Sequence, residues 1–394
     1  MLNFLTSLME LIMADGLRQG LTMFTAFAIT WLSIPSMLSL ARAKKLYDEP
    51  GHRTSHSKST PNLGGISIFA SLIFSVLIFG SIPAFPQLQY VIAGLFIIFF
   101  VGLKDDIIPI SPWKKLYGQI LAAFILIILG QIRITNLHGI FGIYAIDPLG
   151  SIIISFFVII VIVNSINLVD GIDGLASGLA IVAFSTFGGW FFLIGAVEYS
   201  VVAAAMVGSL IAFFYFNVFS KKNKIFMGDT GSLIIGFVLA AFFIRFNELN
   251  IIPTTPYHIN AAPVVALGIL MIPLFDTFRL LILRTIKDGT PFRADRNHLH
   301  HLLLNLNFSH LDASLILITA NLVFILGVFK LQFLGASRLL IIVILAGSLF
   351  DFILHWLVKR KNRLNKTIDI PVQSYHPLHP IAPADKPDIK TKPV

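Results

Sequence analysis

Residues 149–174 read LGSIIISFFVIIVIVNSINLVDGIDG, and this stretch contains both features that decide the fold. It carries no charged residue before Asp170, and roughly 20 apolar residues are enough for a helix to cross a membrane. Its end holds Asp170 and Asp173, each followed by a glycine, which is typical of a tight polar turn. The stretch therefore predicts a membrane-spanning helix that ends in an acidic loop.

The composition of the whole chain agrees with this interpretation. Of the 394 residues, 56% are apolar and 12% are charged, and the mean hydropathy is +0.85. These values exclude a disordered chain and a coiled coil, and they argue strongly against a soluble globule. Because the chain has no cysteine, it has neither disulfides nor thiolate metal sites.

Further apolar stretches lie on both sides of this one, so we expect an all-α, polytopic integral membrane protein. We predict about eleven spans, some of them interrupted by the glycines and prolines that membrane helices tolerate. The predicted spans are 19–41, 65–82, 88–104, 115–130, 149–166, 174–194, 200–219, 232–247, 261–283, 312–329 and 336–357. Residues 1–358 would form the membrane domain, and residues 359–394 a basic, then proline-rich, disordered tail.

Positive charge is concentrated on one side of this arrangement. Most of the 29 Lys and Arg residues fall in alternate loops and in the tail, and the intervening loops hold few. The positive-inside rule places the basic loops in the cytoplasm, with the N-terminus outside and the C-terminus inside. The net charge of +9 is then a topological signal, and no nucleic-acid partner is expected.

Five polar clusters fall on the predicted cytoplasmic side: residues 53–65, 105–115, 164–174, 226–232 and 291–301. The third and fourth clusters contain candidate metal ligands with side-chain oxygens, namely Asn167, Asp170, Asp173 and Asp229. Such oxygens suit Mg²⁺ or Mn²⁺, which prefer carboxylates together with substrate phosphates. Two structural alternatives stay open: the Asp-Gly pairs form turns, or Asp229 caps a helix.

Two further pairs of charged residues have both a structural and a functional interpretation. Asp105 and Asp106 suggest a cation, a shared proton or a nearby base, but they point to different faces of any helix. The alternative is a solvated helix end. Asp276 and Arg279 have helical i, i+3 spacing inside the ninth span, and a structural ion pair is the favoured interpretation.

The fifth cluster combines two arginines with three histidines. Guanidinium groups match phosphate oxygens, and His298, His300 and His301 do not have a standard zinc spacing. Phosphate binding or acid–base work is therefore favoured over a zinc site. Oxygen ligands, basic groups and an acid pair at one membrane surface suit phosphoryl transfer. A secondary transporter is the alternative class, although transporters place their charged sites near the midplane.

At these motifs the sequence resembles the polyprenyl-phosphate N-acetylhexosamine-1-phosphate transferases. The resemblance extends over residues 53–301 and rests on NLVDGIDGL at 167–175, FMGDTGS at 226–232 and HLHH at 298–301. It implies ten or eleven spans, a cytosolic active site in the bacterial inner membrane, and dependence on Mg²⁺, with Mn²⁺ as an alternative metal.

The resemblance also implies roles for individual residues. Asp229 and Asn167 would bind the metal. Asp105, Asp106, Asp170 and His298 would be catalytic. Substrate would be bound by Lys115, Asp173, Arg53, His56, Phe226, Arg293, Arg296, His300 and His301. Lys115 would contact phosphate and Asp173 the uridine, while the Arg and His residues of 291–301 would hold the diphosphate and the sugar.

The order His-Leu-His-His matches the bacterial GlcNAc-1-phosphate branch of this family, whereas the peptidoglycan branch carries three consecutive histidines. The expected reaction moves GlcNAc-1-phosphate from UDP-GlcNAc to undecaprenyl phosphate, giving undecaprenyl-diphospho-GlcNAc and UMP. This would be the first membrane step of O-antigen, common-antigen or related envelope polysaccharide synthesis. The donor could instead be another UDP-N-acetylhexosamine. The sequence also leaves open whether the lipid phosphate attacks directly or the reaction passes through an aspartyl-phosphate, and whether the protein forms a homodimer.

Overall fold

A computed structural model describes residues 2–44, 60–81, 86–288 and 298–368, and almost all of them are helical. The helices are α1 (Leu2–Lys44), α2 (Gly64–Phe79), α3 (Leu88–Ile107), α4 (Pro112–Phe124), α5 (Pro148–Val169), α6 (Leu175–Leu193), α7 (Val197–Phe214), α8 (Gly228–Leu249), α9 (Ala262–Ile269), α10 (Met271–Asp288), α11 (Leu299–Asn305), α12 (His310–Leu331) and α13 (Ala336–Ile368). A π-helical turn follows α4 at Ile125–Leu129 and another follows α7 at Tyr215–Phe219, and a 3-10 turn follows α12 at Gln332–Leu334.

The predicted all-α, polytopic membrane fold is confirmed, and each predicted apolar stretch is helical. Within the described ranges, eight helices are long and apolar enough to cross a membrane, and the bent pair α9–α10 is a ninth if it counts as one span. Helix α2 is apolar but has only 16 residues. The figure of about eleven spans therefore stays a prediction.

Helix α8 forms the centre of the bundle. Its side chains are buried almost continuously from Thr230 to Ile244, and it packs against α2, α3, α5, α6 and α9. A helix that is apolar on all faces is stable only when other helices surround it. Because α8 is central, its first residues lie where the ends of several neighbouring helices meet.

Two glycines allow the helices to approach the start of α8 closely. A Cβ atom on Gly102 of α3 would lie 2.5 Å from the Cα of Thr230, and one on Gly65 of α2 would lie 2.2 Å from the nitrogen of Gly231. Any larger residue would push these helices apart. The polar residues at the end of α3 are thereby held against the first turn of α8.

Helices α9 and α10 are one apolar stretch bent by 88° at Leu270. The bend frees backbone groups that a continuous helix would pair. Asn321 of α12 satisfies them, because its amide donates to the carbonyl of Ile269 at 2.9 Å and its oxygen accepts the N–H of Ile272 at 3.1 Å. Asn321 is 1% exposed, so these bonds form away from water.

A small β-hairpin lies at the opposite end of α8 and was not expected from the sequence. Strands β1 (Asn136–Ile140) and β2 (Ile143–Ala145) pair antiparallel. Glu248, near the end of α8, accepts the backbone N–H of Thr135 at 2.8 Å and its hydroxyl at 2.7 Å. The hairpin is therefore fixed to the end of the central helix that is remote from Asp229.

The division into a membrane domain at 1–358 and a tail at 359–394 stays a prediction, and the first residues of the predicted tail are helical. Helix α13 continues past 359 and ends at Ile368, because the apolar span leads directly into a run of good helix formers rich in Lys and Arg. In this segment the Lys361 ammonium donates to the carbonyl of Asn305 at 2.8 Å. Residues 369–394 lie outside the described residues.

Candidate active site

The candidate site is built around Asp229, in the first turn of α8. Its Oδ1 atom lies 2.6 Å from the Nζ atom of Lys115 at the start of α4, and it also accepts a hydrogen bond from the side-chain amide of Asn167 near the end of α5. The Lys115 ammonium further contacts the Asn167 oxygen at 3.2 Å and Asp105 at 3.3 Å. Four predicted site residues from four helices thus meet at one point.

The oxygen atoms around the Lys115 ammonium indicate which kind of metal ion the residues could bind. A carboxylate oxygen of Asp229 and the amide oxygen of Asn167 both point at one positive charge, the Lys115 ammonium. Mg²⁺ prefers this kind of donor set, completed by waters and substrate phosphates. The residues therefore fit a hard divalent cation. Lys115 would then neutralise a phosphate beside the cation, as point-charge lysines do.

The adjacent carboxylates of Asp106 and Asp105 bind different partners. Asp106 accepts the backbone N–H of Asp229 at 2.7 Å and of Thr230 at 2.9 Å, and also the Thr230 hydroxyl. It thereby satisfies N–H groups that the first turn of α8 cannot pair internally. Asp105 instead accepts the N–H of Ile110 at 2.8 Å and contacts Lys115. The interpretation of Asp229 as its own helix cap is not supported, because Asp106 supplies the cap.

The Asp-Gly loop of the third cluster is a turn between α5 and α6, as its two glycines predicted. Gly174 has φ of +78°, a conformation that glycine adopts without strain. Burial, and after it the negative charges of Asp229, Asp106 and Asp173, together raise the pKa of Asp170 to about 7. A carboxyl group with such a pKa can exchange a proton near neutral pH.

Asp173 lies in a second polar group beside this turn. Its Oδ2 atom is 2.6 Å from Lys224 and 3.5 Å from the Nδ1 atom of His310, and its backbone carbonyl accepts the hydroxyl of Ser314 at 2.8 Å. The Lys224 ammonium also lies 5.6 Å from the ring centre of Phe226. The predicted substrate residues Asp173 and Phe226 are thus joined through Lys224.

Sequence reasoning missed Lys224 and the buried Asn217 of the π-helical turn after α7. The oxygen of Asn217 accepts the N–H of Gly174 at 2.7 Å, and its amide donates to the carbonyl of Ile225 at 3.0 Å. One side chain therefore links the third cluster to the residue directly before the fourth. A lone asparagine in an otherwise apolar span was the signal that could have identified it, because buried polar groups need partners.

The histidines of the fifth cluster lie against the Asp170 turn. A Cβ atom on Gly171 would be 2.6 Å from the Nε2 atom of His300, so the absence of a side chain makes room for that ring. The ring centre of His300 is 5.3 Å from that of His298 and 4.3 Å from that of His301. Burial, and after it the neighbouring His301 and His298, together lower the pKa of His300 to about 3. His300 is therefore neutral at physiological pH.

The predicted ion pair is present, with Nη2 of Arg279 3.0 Å from Oδ1 of Asp276, but both residues have further partners. The second carboxylate oxygen of Asp276 lies 2.8 Å from the Nδ1 atom of His298. Arg279 reaches the carboxylate of Asp351 in α13 at 2.7 Å. The ion pair inside the bundle is thus connected to a predicted catalytic residue.

Four predicted residues lie outside the described part of the chain: Arg53, His56, Arg293 and Arg296. Of the first cluster, residues 60–65 are described, and they pair with the fourth. The N–H of Gly64 donates to the carbonyl of Phe226 at 3.0 Å, and that of Gly65 to Met227 at 2.9 Å. Within the described ranges, parts of all five clusters therefore meet at one end of the bundle.

Comparison with known proteins shows which family the chain resembles. Residues 88–247 match the family described as Glycosyl transferase family 4. The chain is 32% identical over 354 residues to an undecaprenyl-phosphate alpha-N-acetylglucosaminyl 1-phosphate transferase of Yersinia pestis, covering 86% of this chain and 94% of the relative. Proteins of the same name are similar in Haemophilus influenzae, at 33% over 75% of this chain and 82% of the relative, and in Escherichia coli K12, at 28% over 86% and 92%.

Proposed function

The chain belongs to glycosyl transferase family 4, and on this premise we propose that it transfers GlcNAc-1-phosphate from UDP-GlcNAc to undecaprenyl phosphate. The products are undecaprenyl-diphospho-GlcNAc and UMP. The observation that carries the proposal is the meeting of Asp229, Asn167 and Lys115 at the end of the bundle where the described parts of the five polar clusters lie together. The names of the relatives support the lipid acceptor and the sugar phosphate.

The proposed metal is Mg²⁺, with Mn²⁺ as a substitute. Asp229 and Asn167 would hold it, since their oxygens already point at one cationic centre. When bound, it would neutralise charge on the diphosphate of the donor. Lys115, with its ammonium beside Asp229, contributes a second positive charge to the same phosphate oxygens.

The donor nucleotide is proposed to bind where Asp173, Lys224 and Phe226 lie together. The ring of Phe226 offers a face for a base, and Asp173 offers hydrogen-bond acceptors. The diphosphate then extends toward Asp229, and the sugar toward His298 and His300. The short distance between His300 and the Asp170 turn supports this placement, because it brings the histidines close to the acids.

The chemical step is proposed as attack by an oxygen of the lipid phosphate on the phosphorus that carries the sugar. A new phosphorus–oxygen bond forms, the bond between the two phosphates of the donor breaks, and UMP leaves. We assign the uptake of a proton from the lipid phosphate to Asp170, because burial and the neighbouring acids raise its pKa to about 7 and, unlike Asp106, it does not cap the start of α8. Asp105 supports Lys115, and Asp106 supports Asp229.

We place this end of the bundle at the cytoplasmic face of the bacterial inner membrane. The helix ends and loops predicted on that side carry most of the basic residues, including Lys104 in α3, Lys114 in α4, and Lys221, Lys222 and Lys224 in the loop before α8. A UDP-sugar reaches the site from the cytosol, while the acceptor arrives from the lipid. The basic residues also attract the two negatively charged substrates.

The test is a transfer assay with the purified protein in lipid nanodiscs. It contains undecaprenyl phosphate, Mg²⁺ and a panel of radiolabelled UDP-N-acetylhexosamines. We expect a lipid-extractable product and stoichiometric UMP with UDP-GlcNAc. Asp229→Asn should abolish both, whereas Asp147→Asn should not, because Asp147 caps α5 at the opposite end and asparagine caps equally well.

Two results would overturn the proposal. The first is the absence of a lipid product with every UDP-sugar in the panel. The second is uptake of a sugar nucleotide into proteoliposomes without release of UMP, which would indicate a transporter. A lipid product formed only with a different UDP-N-acetylhexosamine would keep the reaction but reject GlcNAc as the sugar.

A further inference from the structure

We propose that Asp276 is a positioning residue for His298: its carboxylate holds the imidazole with the proton on Nδ1, so that Nε2 faces the donor phosphates. The inference rests on the proposed transferase function and adds a residue to its site. Asp276 lies in α10, 22 residues before His298 and outside the three motifs that carry the family resemblance. Its ion pair with Arg279 accounts for only one of its two carboxylate oxygens.

The carboxylate of Asp276 is bonded on both of its oxygens. Oδ2 lies 2.8 Å from Nδ1 of His298, and Oδ1 accepts the backbone N–H of Leu299 at 3.0 Å. Oδ1 also takes a hydrogen bond from Arg279 at 3.0 Å. Asp276 therefore fixes both the ring of His298 and the backbone of the next residue, which begins α11.

Burial strengthens the hydrogen bonds of the Asp276 carboxylate. Asp276 is 2% exposed, Arg279 and His298 are each 7% exposed, and His300 is 2% exposed. Hydrogen bonds to a charged group are stronger where water is excluded. An ionised carboxylate can only accept a proton, so the nitrogen that faces Asp276 must carry one. The other ring nitrogen, Nε2, is then left to accept a proton or, in the imidazolium form, to donate one.

The same three residues have a geometry that could hold a metal ion: Asp276, His298 and His300 offer ligand atoms within 4.8 Å of one another. The position of Arg279 argues against that interpretation. Its guanidinium is bonded to the carboxylate that would have to ligate the ion, and its positive charge opposes a cation there. The carboxylate–imidazole pair leaves the Asp276 oxygens satisfied without a metal.

Loss of the Asp276 carboxylate should measurably lower kcat. For histidines that ligate metals, removing the group that orients the ring typically costs about 10- to 100-fold, and we expect a loss of the same order for His298. Asp276→Asn is the informative change, because it keeps the size of the side chain and loses its charge. We expect kcat to fall by about 10- to 100-fold while KM for UDP-GlcNAc changes much less.

A double-mutant cycle separates positioning from simple stabilisation. If Asp276 acts through His298, then Asp276→Asn causes no further loss of kcat once His298→Ala is present. If the two losses multiply instead, the inference is overturned. The matched control is Asp351→Asn in α13, which removes the negative charge of a second partner of Arg279 and leaves His298 untouched. It should lower the melting temperature and leave kcat unchanged.

The protonation of His298 gives a readout that does not need activity. In the full-length protein labelled with ¹⁵N-histidine, the His298 signal is assigned by its loss in His298→Gln. We expect a protonated Nδ1 in the wild type, and a change of tautomer in Asp276→Asn. An unprotonated Nδ1 in the wild type would overturn the inference, even if the protein proved inactive in the transfer assay, which would reject the proposed function separately.

Discussion

The carboxylate of Asp106 accepts the backbone N–H of Asp229 at 2.7 Å, although the two residues are 123 positions apart in the chain. An acid at the end of one helix thus serves as the N-terminal cap of another. The contact orients the first turn of α8, and with it the side chain that faces Lys115. Of the two adjacent acids, Asp106 therefore acts by holding the site together.

The capping role of Asp106 predicts a loss of stability as well as of activity. Asp106→Ala leaves buried N–H groups of Asp229 and Thr230 without an acceptor, at a cost of about 1–3 kcal/mol for each group that stays unsatisfied. The apparent melting temperature, followed by tryptophan fluorescence, should fall with the activity. Asp105→Asn should lower it less, because an amide oxygen still accepts the N–H of Ile110. An unchanged melting temperature in Asp106→Ala would contradict this role.

The raised pKa of Asp170 predicts a pH dependence. Burial shifts this pKa upward from 3.8 to about 7, so the carboxyl group is protonated below that pH. If Asp170 takes up the proton of the lipid phosphate, kcat/KM rises as the pH rises through about 7 and then levels off. Asp170→Asn should remove this rise along with most of the activity. A residual rate with the same pH profile would assign the proton transfer to another group.

The raised pKa of Asp170 makes stability fall as the pH rises, whereas activity rises. The folded protein holds the Asp170 proton more tightly than the unfolded chain does, so folding is favoured while the group stays protonated. The contribution of Asp170 to the free energy of unfolding should therefore fall as the pH rises between 3.8 and about 7. Comparing the melting temperature of Asp170→Asn with that of the wild type across this interval isolates the contribution. A constant difference would contradict the raised pKa.

The close contact at Gly171 predicts that a single methyl group disturbs the site. In Gly171→Ala the new Cβ would lie 2.6 Å from Nε2 of His300, so the ring must move. A displacement of about 1 Å among positioned groups can reduce the rate by about 100-fold. The control is Gly189→Ala in α6, where nothing lies within 4 Å of the new atom. Equal activity of the two variants would show that the position of His300 is not critical.

The bend between α9 and α10 predicts a specific role for Asn321. Asn321→Leu keeps the volume but leaves the carbonyl of Ile269 and the N–H of Ile272 without a partner. The expected cost is about 1–3 kcal/mol for each buried group. Because α10 carries Asp276, activity should fall as well. Leu322→Ala, a change at the neighbouring residue that is 41% exposed, should have a small effect on both measurements. A melting temperature equal to that of the wild type would contradict the role of Asn321.

How much could be predicted from the sequence differs between elements. The helices were predictable because a run of apolar residues such as 149–166 has few alternatives in a bilayer. The turn at 170–174 followed from its glycines. The β-hairpin at 136–145 was missed, because its short strands have no clear alternation and are held by Glu248 from a distant helix. The extension of α13 to Ile368 was not predicted, because charge and helix propensity are independent signals.

The sequence by itself determined the membrane fold, the family and the set of polar clusters, since hydropathy and motif spacing are local properties of the chain. Tertiary structure alone decided which polar atoms meet. It placed Asp106 on the start of α8, Lys115 between Asp105 and Asp229, and Asp276 against His298. A hydrogen bond depends on distances of a few tenths of an ångström between residues far apart in sequence, and only the packing of the helices around α8 sets those distances.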